Sequence, residues 1–164
     1  MTSDTRIHQQ VYCGHRPVRI AALMELYERN YRLVEQLVPE LELPFERAVS
    51  HSETDLPLHL ITVERSRYTV SFRLTYEFGE GNEKREDPDL SLRVYRDAHL
   101  VEALRCAVRP PWSVGKDGDA EVDRFLSDQW ARNILLHKWL QYLLHHGHGF
   151  GMANRPRAEV LAKA

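Results

Sequence analysis

Residues 68–78 read YTVSFRLTYEF. Tyr68, Val70, Phe72, Leu74, Tyr76 and Phe78 alternate with Thr69, Ser71, Arg73, Thr75 and Glu77. Successive side chains of a strand point to opposite faces, so this segment has one apolar and one polar side. Such a strand belongs in an antiparallel sheet covered on one face only.

The flanking segments extend the sheet. Leu58–Glu64 is a second strand-like run, and a loop of only Arg65 and Ser66 sets Ile61 against Val70 and His59 against Phe72. His59 then falls on the apolar face, as a core histidine. A short strand fits near Ala48–Ser52. Gly79–Asp89 (GEGNEKREDPD) is an eleven-residue polar loop. Leu90–Arg96 and His99–Val108 form another hairpin turning at Asp97-Ala98, with Leu92, Arg93 and Val94 opposite Ala103, Glu102 and Val101. Tyr95, Leu100 and Leu104 take the other face. Pro110-Pro111 ends the strand, because proline cannot donate to the ladder.

A helix stands on each side of this meander. From Pro17, apolar residues Ile20, Leu23, Met24, Tyr27, Tyr31, Val34, Leu37 and Val38 recur at steps of three and four, which is one stripe of a helix. Pro39 stops it. Asp119 suits an N-cap, and the pattern from Val122 to Leu144 gives a helix of about 27 residues closed by Gly147, with room for a break at Trp130. Asn30 and Asn133 are poor interior helix residues, and either a bond to a neighbouring backbone or exposure to solvent would explain each. Trp130 and Trp139 read as core. The predicted fold is therefore α+β. It is a single domain over residues 17–150, with an N-terminal helix, a four- to five-stranded antiparallel meander and a long C-terminal helix on one face. Residues 1–16 form an irregular arm and 151–164 an irregular tail.

Composition narrows the function. A chain of 164 residues suits one domain. A net charge of −2 supplies no broad basic field for nucleic acid or an anionic membrane. Cys13 and Cys106 make neither a disulfide framework nor a metal motif, which points to a reducing cytoplasm. The first ten residues lack the apolar run of a signal peptide, and no membrane span is expected. No G-x-S-x-G, P-loop, G-x-G-x-x-G or H-E-x-x-H occurs, so neither a catalytic residue nor a cofactor is assigned.

Four stretches carry a resemblance: YERNYRLVEQLVP at 27–39, VERSRYTVSF at 63–72, LRVYRDAHLVEA at 92–103 and RNILLHKWLQYLLHHG at 132–147. In this order the chain resembles the YqiB-like family of bacterial proteins, a domain of unknown function. The resemblance covers about Ala22 to Gly147. It implies a bacterial cytoplasmic protein and brings no activity, cofactor or catalytic residue.

Two constellations compete with their plain structural readings. His137, His145, His146 and His148 are metal-type side chains, but His137 and His145 lie about 80° apart around a helix. A polar helix end is the simpler reading, and no metal is assigned. Glu64, Arg67, Arg93, Tyr95 and Asp97 lie near strand ends, where Arg67 and Arg93 could clamp a carboxylate or phosphate. Their plain reading is cross-strand pairing, Glu64 with Arg67 and Arg93 with Glu102. The reading that follows is a non-catalytic cytoplasmic binding or regulatory module with a protein partner or a second copy of itself. One alternative is a small enzyme or binder of an anionic metabolite using Arg67 and Arg93. Another is nucleic-acid binding through Arg93, Arg96, Arg105 and Arg109.

Overall fold

The computed structural model describes residues 19–106 and 119–151. The expected arm and most of the tail, with Pro17, Arg109 and Pro110-Pro111, lie outside them. Helix α1 spans Ile20–Leu37, followed by strands β1 Arg47–Ser50, β2 Leu58–Arg65, β3 Thr69–Phe78, β4 Arg85–Tyr95 and β5 Leu100–Cys106, then helix α2 Asp119–His145. The five strands form one antiparallel sheet in sequence order. This is the expected single α+β domain.

The core face of the sheet carries Leu58, Leu60, Val70, Phe72, Leu74, Leu90, Leu92, Val94, Val101 and Ala103, packed against Tyr31, Val34 and Leu37 of α1 and Leu136, Leu140 and Leu143 of α2. The two helices run parallel: Tyr27 meets Gln129, Asn30 meets Asn133 and His137, and Leu37 meets Phe150. Helix α2 is continuous, with no break at Trp130. It ends as expected at Gly147, whose positive φ of 78° lets its N–H reach Leu144 O while the His148 N–H reaches Leu143 O. Trp130 and Trp139 are only half-buried.

The second hairpin has the predicted register, with Leu92 opposite Ala103, Arg93 opposite Glu102 and Val94 opposite Val101. The first does not. Ile61 lies opposite Arg73 and His59 opposite Thr75, and a bulge between Thr62 and Glu64 shifts the last pairs. Leu58, Leu60 and Thr62 take the core side, leaving His59 and Ile61 on the open face. The run LHLITV is apolar at both parities, so its pattern alone could not choose a face. The turn is also longer than two residues. Ser66 and Thr69 close it, with the Ser66 N–H donating to Thr69 O at 2.8 Å. Arg65 is drawn back instead to donate to Leu43 O and Phe45 O.

The polar loop is also shorter than expected. Strand β4 begins at Arg85, opposite Phe78, so the loop is Gly79–Lys84 and contains a short 3-10 turn. Pro88 is tolerated because β4 bulges between Asp87 and Leu90 and pairs with β5 only from Leu90 onward. The β3–β4 hairpin therefore projects beyond β5, with β2 still paired to β3 as far as Tyr76 and a two-stranded tip at Glu77, Phe78, Arg85 and Glu86. Along its core face exposure rises from 0% at Leu74 to 8% at Tyr76 and 41% at Phe78. Tyr68, at the other end of the alternating run, is likewise exposed, so only Val70–Tyr76 of its apolar face is core.

Both helix asparagines bond across, as their odd positions suggested. Asn133 Oδ1 accepts the Ala103 N–H of β5 at 2.9 Å, and Asn30 Nδ2 donates to Asn133 O at 3.2 Å. Arg132 donates to Leu104 O at 3.3 Å. Helix α2 thus takes up two backbone groups, at Ala103 and Leu104, on the outer edge of β5, which would otherwise be offered to another strand.

Candidate functional site

Registers β2–β3, β3–β4 and β4–β5 set Glu64, Ser71, Arg93 and Glu102 in one row across the open face. Tyr95 stands two residues along β4 from Arg93. Arg67 and Asp97 lie in the two turns at the same end of the sheet. These turns adjoin: the Arg96 N–H donates to Tyr68 O at 2.8 Å, and its guanidinium donates to Ser66 O and Arg67 O. The five predicted residues therefore share one end of the molecule.

Their contacts differ from the expected ion pairs. Arg93 Nε donates to Ser71 Oγ at 3.4 Å, and Glu102 accepts the Tyr95 phenol at 2.7 Å. The Arg67 guanidinium lies 5.1 Å from the centre of the Tyr68 ring. Burial, with Glu102 beside it, raises the Tyr95 pKa. Arg96 is committed to carbonyls and to Glu42, which removes it from any phosphate-tracking stripe with Arg93 and Arg105.

Each titratable group on the rest of the open face has neighbours. Glu77 pairs with Arg47, His59 and Lys84, and Arg73 pairs with Glu86 and Asp89. Arg47 can only donate, so at 3.1 Å the His59 Nδ1 must accept, and His59 is neutral. His137 is fixed similarly. Asn30 donates its amide to Asn133, so its oxygen accepts from His137 Nδ1–H at 3.0 Å.

Burial lowers the pKa of both imidazoles; Arg47 adds to this at His59 against Glu77, and Arg29 adds to it at His137. The unfolded chain then takes up protons that the folded chain refuses. Stability should rise with pH up to about 6.5 and level off above it. Urea melts at pH 5.5 and 7.5 should show this loss in acid, and His137→Gln should shrink it. An unchanged difference in that variant would remove His137 from the linkage.

A second cluster lies where the chain leaves α2. The His148 side chain has 0% exposure. Its Nε2 bonds Asp55 Oδ2 at 3.1 Å and its Nδ1 bonds Ser50 Oγ at 3.2 Å. Asp55 also accepts the Tyr76 phenol at 2.7 Å and the Leu56 N–H at 2.8 Å. Burial would raise the Asp55 carboxyl, but the Tyr76, Leu56 and His148 donors outweigh it and hold the group below the usual carboxylate range. Ser50 Oγ accepts the Gly149 N–H at 3.0 Å, and Thr54 Oγ1 bonds His146 Nδ1 at 2.9 Å.

Ser50, His148 and Asp55 thus form the atom sequence of a nucleophile relay. Ser50, however, is fully buried, so no substrate carbonyl can approach its Oγ. What the cluster does is tie residues 146–151 to β1 and to the 51–57 connector. Nothing in the spacing of positions 50, 55, 76 and 148 announces it.

Outside this buried cluster lies a patch of rings. Tyr76 packs edge-on against Phe78, at 6.4 Å, and Trp139, at 5.9 Å. Tyr142 lies 4.2 Å from the His146 ring. Leu135, Trp139, Tyr142 and His146 follow one stripe of α2 by their spacing. Leu56, Phe78, Leu135 and Tyr142 are 48%, 41%, 42% and 44% exposed. The projecting hairpin and α2 together present this patch.

The end of α1, the sheet, α2 and the buried cluster fall within one family match: a family model described as a protein of unknown function (DUF1249) matches residues 32–149. The chain belongs to the DUF1249 family. Searches of curated proteins and of solved structures gave no match. The DUF1249 region runs from the middle of α1 through His148 and Gly149, so it contains every residue of both sites. Among the described residues no helix is long and apolar enough to cross a membrane, and no group of three or more His, Cys, Asp or Glu side chains could hold a metal ion. His137, bonded to Asn30, and His148, sealed beneath the sheet end, do not converge with His145 and His146.

Proposed function

We propose that this DUF1249 protein is a non-catalytic binding module of the bacterial cytoplasm, YqiB-like in kind, that engages a protein partner through the ring patch between the β3–β4 hairpin and α2. One contrast carries the reading. The serine–histidine–carboxylate chain found among the described residues is sealed, whereas Leu56, Phe78, Leu135 and Tyr142, on the connector, the hairpin and α2, face solvent. Exposed apolar surface rimmed by polar groups marks a contact site.

The test compares tagged wild type, Phe78→Ser/Leu135→Ser and Arg93→Ala in quantitative co-purification from the source cells. A partner retained by wild type and Arg93→Ala and lost from the double variant supports the reading. An identical set of proteins from all three overturns it.

A second reading keeps Glu64, Arg67, Arg93, Tyr95 and Asp97 as an anion site. It is favoured by Arg93, which bonds the neutral hydroxyls of Ser71 and Tyr95 rather than a carboxylate. A ligand at a hundredfold excess over its Kd adds about 2.7 kcal/mol to stability, which a melt detects readily. Phosphate, nucleotides and dicarboxylates should each be screened. A shift abolished by Arg93→Ala supports this reading, and no shift in wild type removes it.

A further inference from the structure

Resting on that module reading, we infer that the ring patch takes a cationic peptide segment, one presenting arginine or lysine beside apolar residues. Aromatic faces attract cations through their quadrupole, and the attraction strengthens where water is partly excluded. Here the rings stand over a fixed negative charge. Asp55 is held anionic beneath them, and its oxygen takes the Tyr76 phenol directly.

The rim has the same sign. Asp87 lies opposite Tyr76 in the β3–β4 register, Glu53 is exposed two residues before Asp55, and Glu80 follows Phe78 in the exposed loop. Two of the three flanking cations are engaged in ion pairs. Arg85 is itself paired with Asp87, Lys84 is turned to Glu77 on the open face, and Lys138 borders the α2 stripe. An acidic segment would meet the exposed carboxylates of Glu53 and Glu80, and of these three cations only Lys138 stands outside an ion pair. A cationic one meets both the π faces and the carboxylates.

The hairpin and α2 meet at the edge-on contact of Tyr76 with Trp139, which sets the exposed rings of the two elements side by side. Apolar residues of the incoming segment would cover Phe78, Leu135 and Tyr142.

The experiment uses the full chain and three fluorescein-labelled ten-residue peptides, alternating Leu with Arg, with Gln or with Glu. Anisotropy is read in 0.3 M salt, to screen general attraction to a chain of net charge −2. The Arg peptide should bind at least tenfold tighter than the Gln peptide and far tighter than the Glu peptide. Phe78→Ser/Tyr142→Ser should weaken it at least tenfold. Both positions are exposed, and a circular-dichroism melt confirms that the variant folds.

Equal binding of the Gln peptide, or binding that survives the double variant, overturns the inference. So does no binding of any peptide; in that case the partner loss described above still decides the module reading separately. Tenfold tighter peptide binding after removal of residues 152–164, which include Arg155, Arg157 and Lys163, would make the chain's own tail the occupant. It would overturn the assignment to a separate partner.

Discussion

Phe72→Asp is expected to abolish the cooperative thermal melt. Phe72 sits mid-strand in β3 with no exposed surface, between Thr62 of β2 and Leu92 of β4. Replacing it removes one of the largest fully buried side chains. Truncating a buried phenylalanine alone costs about 3–5 kcal/mol. The aspartate adds a carboxylate with no cation near enough to pair it, and burying an unpaired charge costs more again. A domain whose whole stability is about 5–15 kcal/mol cannot absorb both. Far-ultraviolet circular dichroism against temperature is the check. A sharp transition within a few degrees of wild type would place Phe72 off the core and undo the packing of β3 against the helices. Phe72→Leu, which keeps an apolar side chain at the site, should melt cooperatively at a lower temperature.

Asp55→Ala is expected to give the next largest loss. The carboxylate accepts both the Tyr76 phenol and His148 Nε2, and Tyr76 and His148 are buried. Leaving each buried donor unpaired costs about 1–3 kcal/mol. For a domain of this size 1 kcal/mol moves the melting temperature by roughly 2–4 °C. The combined fall should be roughly 4–24 °C by the same scaling. The loss should also be local. Gly149 and Phe150 donate their amides to Ser50 Oγ and Leu37 O, and both should exchange with deuterium faster once the strap is released. Asp55→Asn keeps an acceptor and should recover part of the stability. Unchanged exchange at Gly149 and Phe150 would show that the strap does not depend on the carboxylate.

Much of the fold was legible because burial imprints a period. The apolar stripe of α1, the Gly147 stop and the register of the β4–β5 hairpin all follow from side-chain spacing. Asn30 and Asn133 were legible in part for the opposite reason, as the sequence left a backbone bond and solvent exposure equally open. A polar amide inside a helix needs a partner, and both found one across the helix pair and at the β5 edge. The β2–β3 register was not legible, because Leu58, Leu60, Ile61 and Val63 leave both faces apolar. Only packing against the helices chooses Leu58 and Leu60. The start of β4 at Arg85–Asp89 was hidden because a strand outside the helix layer carries no apolar face to betray it.

The candidate sites divide in the same way. The sequence by itself set the two helices, most of the four- to five-stranded meander and the places of Glu64, Arg67, Arg93, Tyr95 and Asp97 near strand ends, since these follow from local pattern and hairpin closure; only the pairing of β3 with β4 brought the two hairpins, and so the five residues, to one end. Only the tertiary structure decided that Arg93 meets Ser71 rather than Glu102. It alone brought Ser50, Asp55, Tyr76 and His148 together from four segments. It alone left Phe78 and Tyr142 outside a core that their apolar character would have placed them in. Periodicity reports which face of an element is apolar. How far a neighbouring element reaches along that face depends on the lengths and crossing of both, and no single segment carries that information.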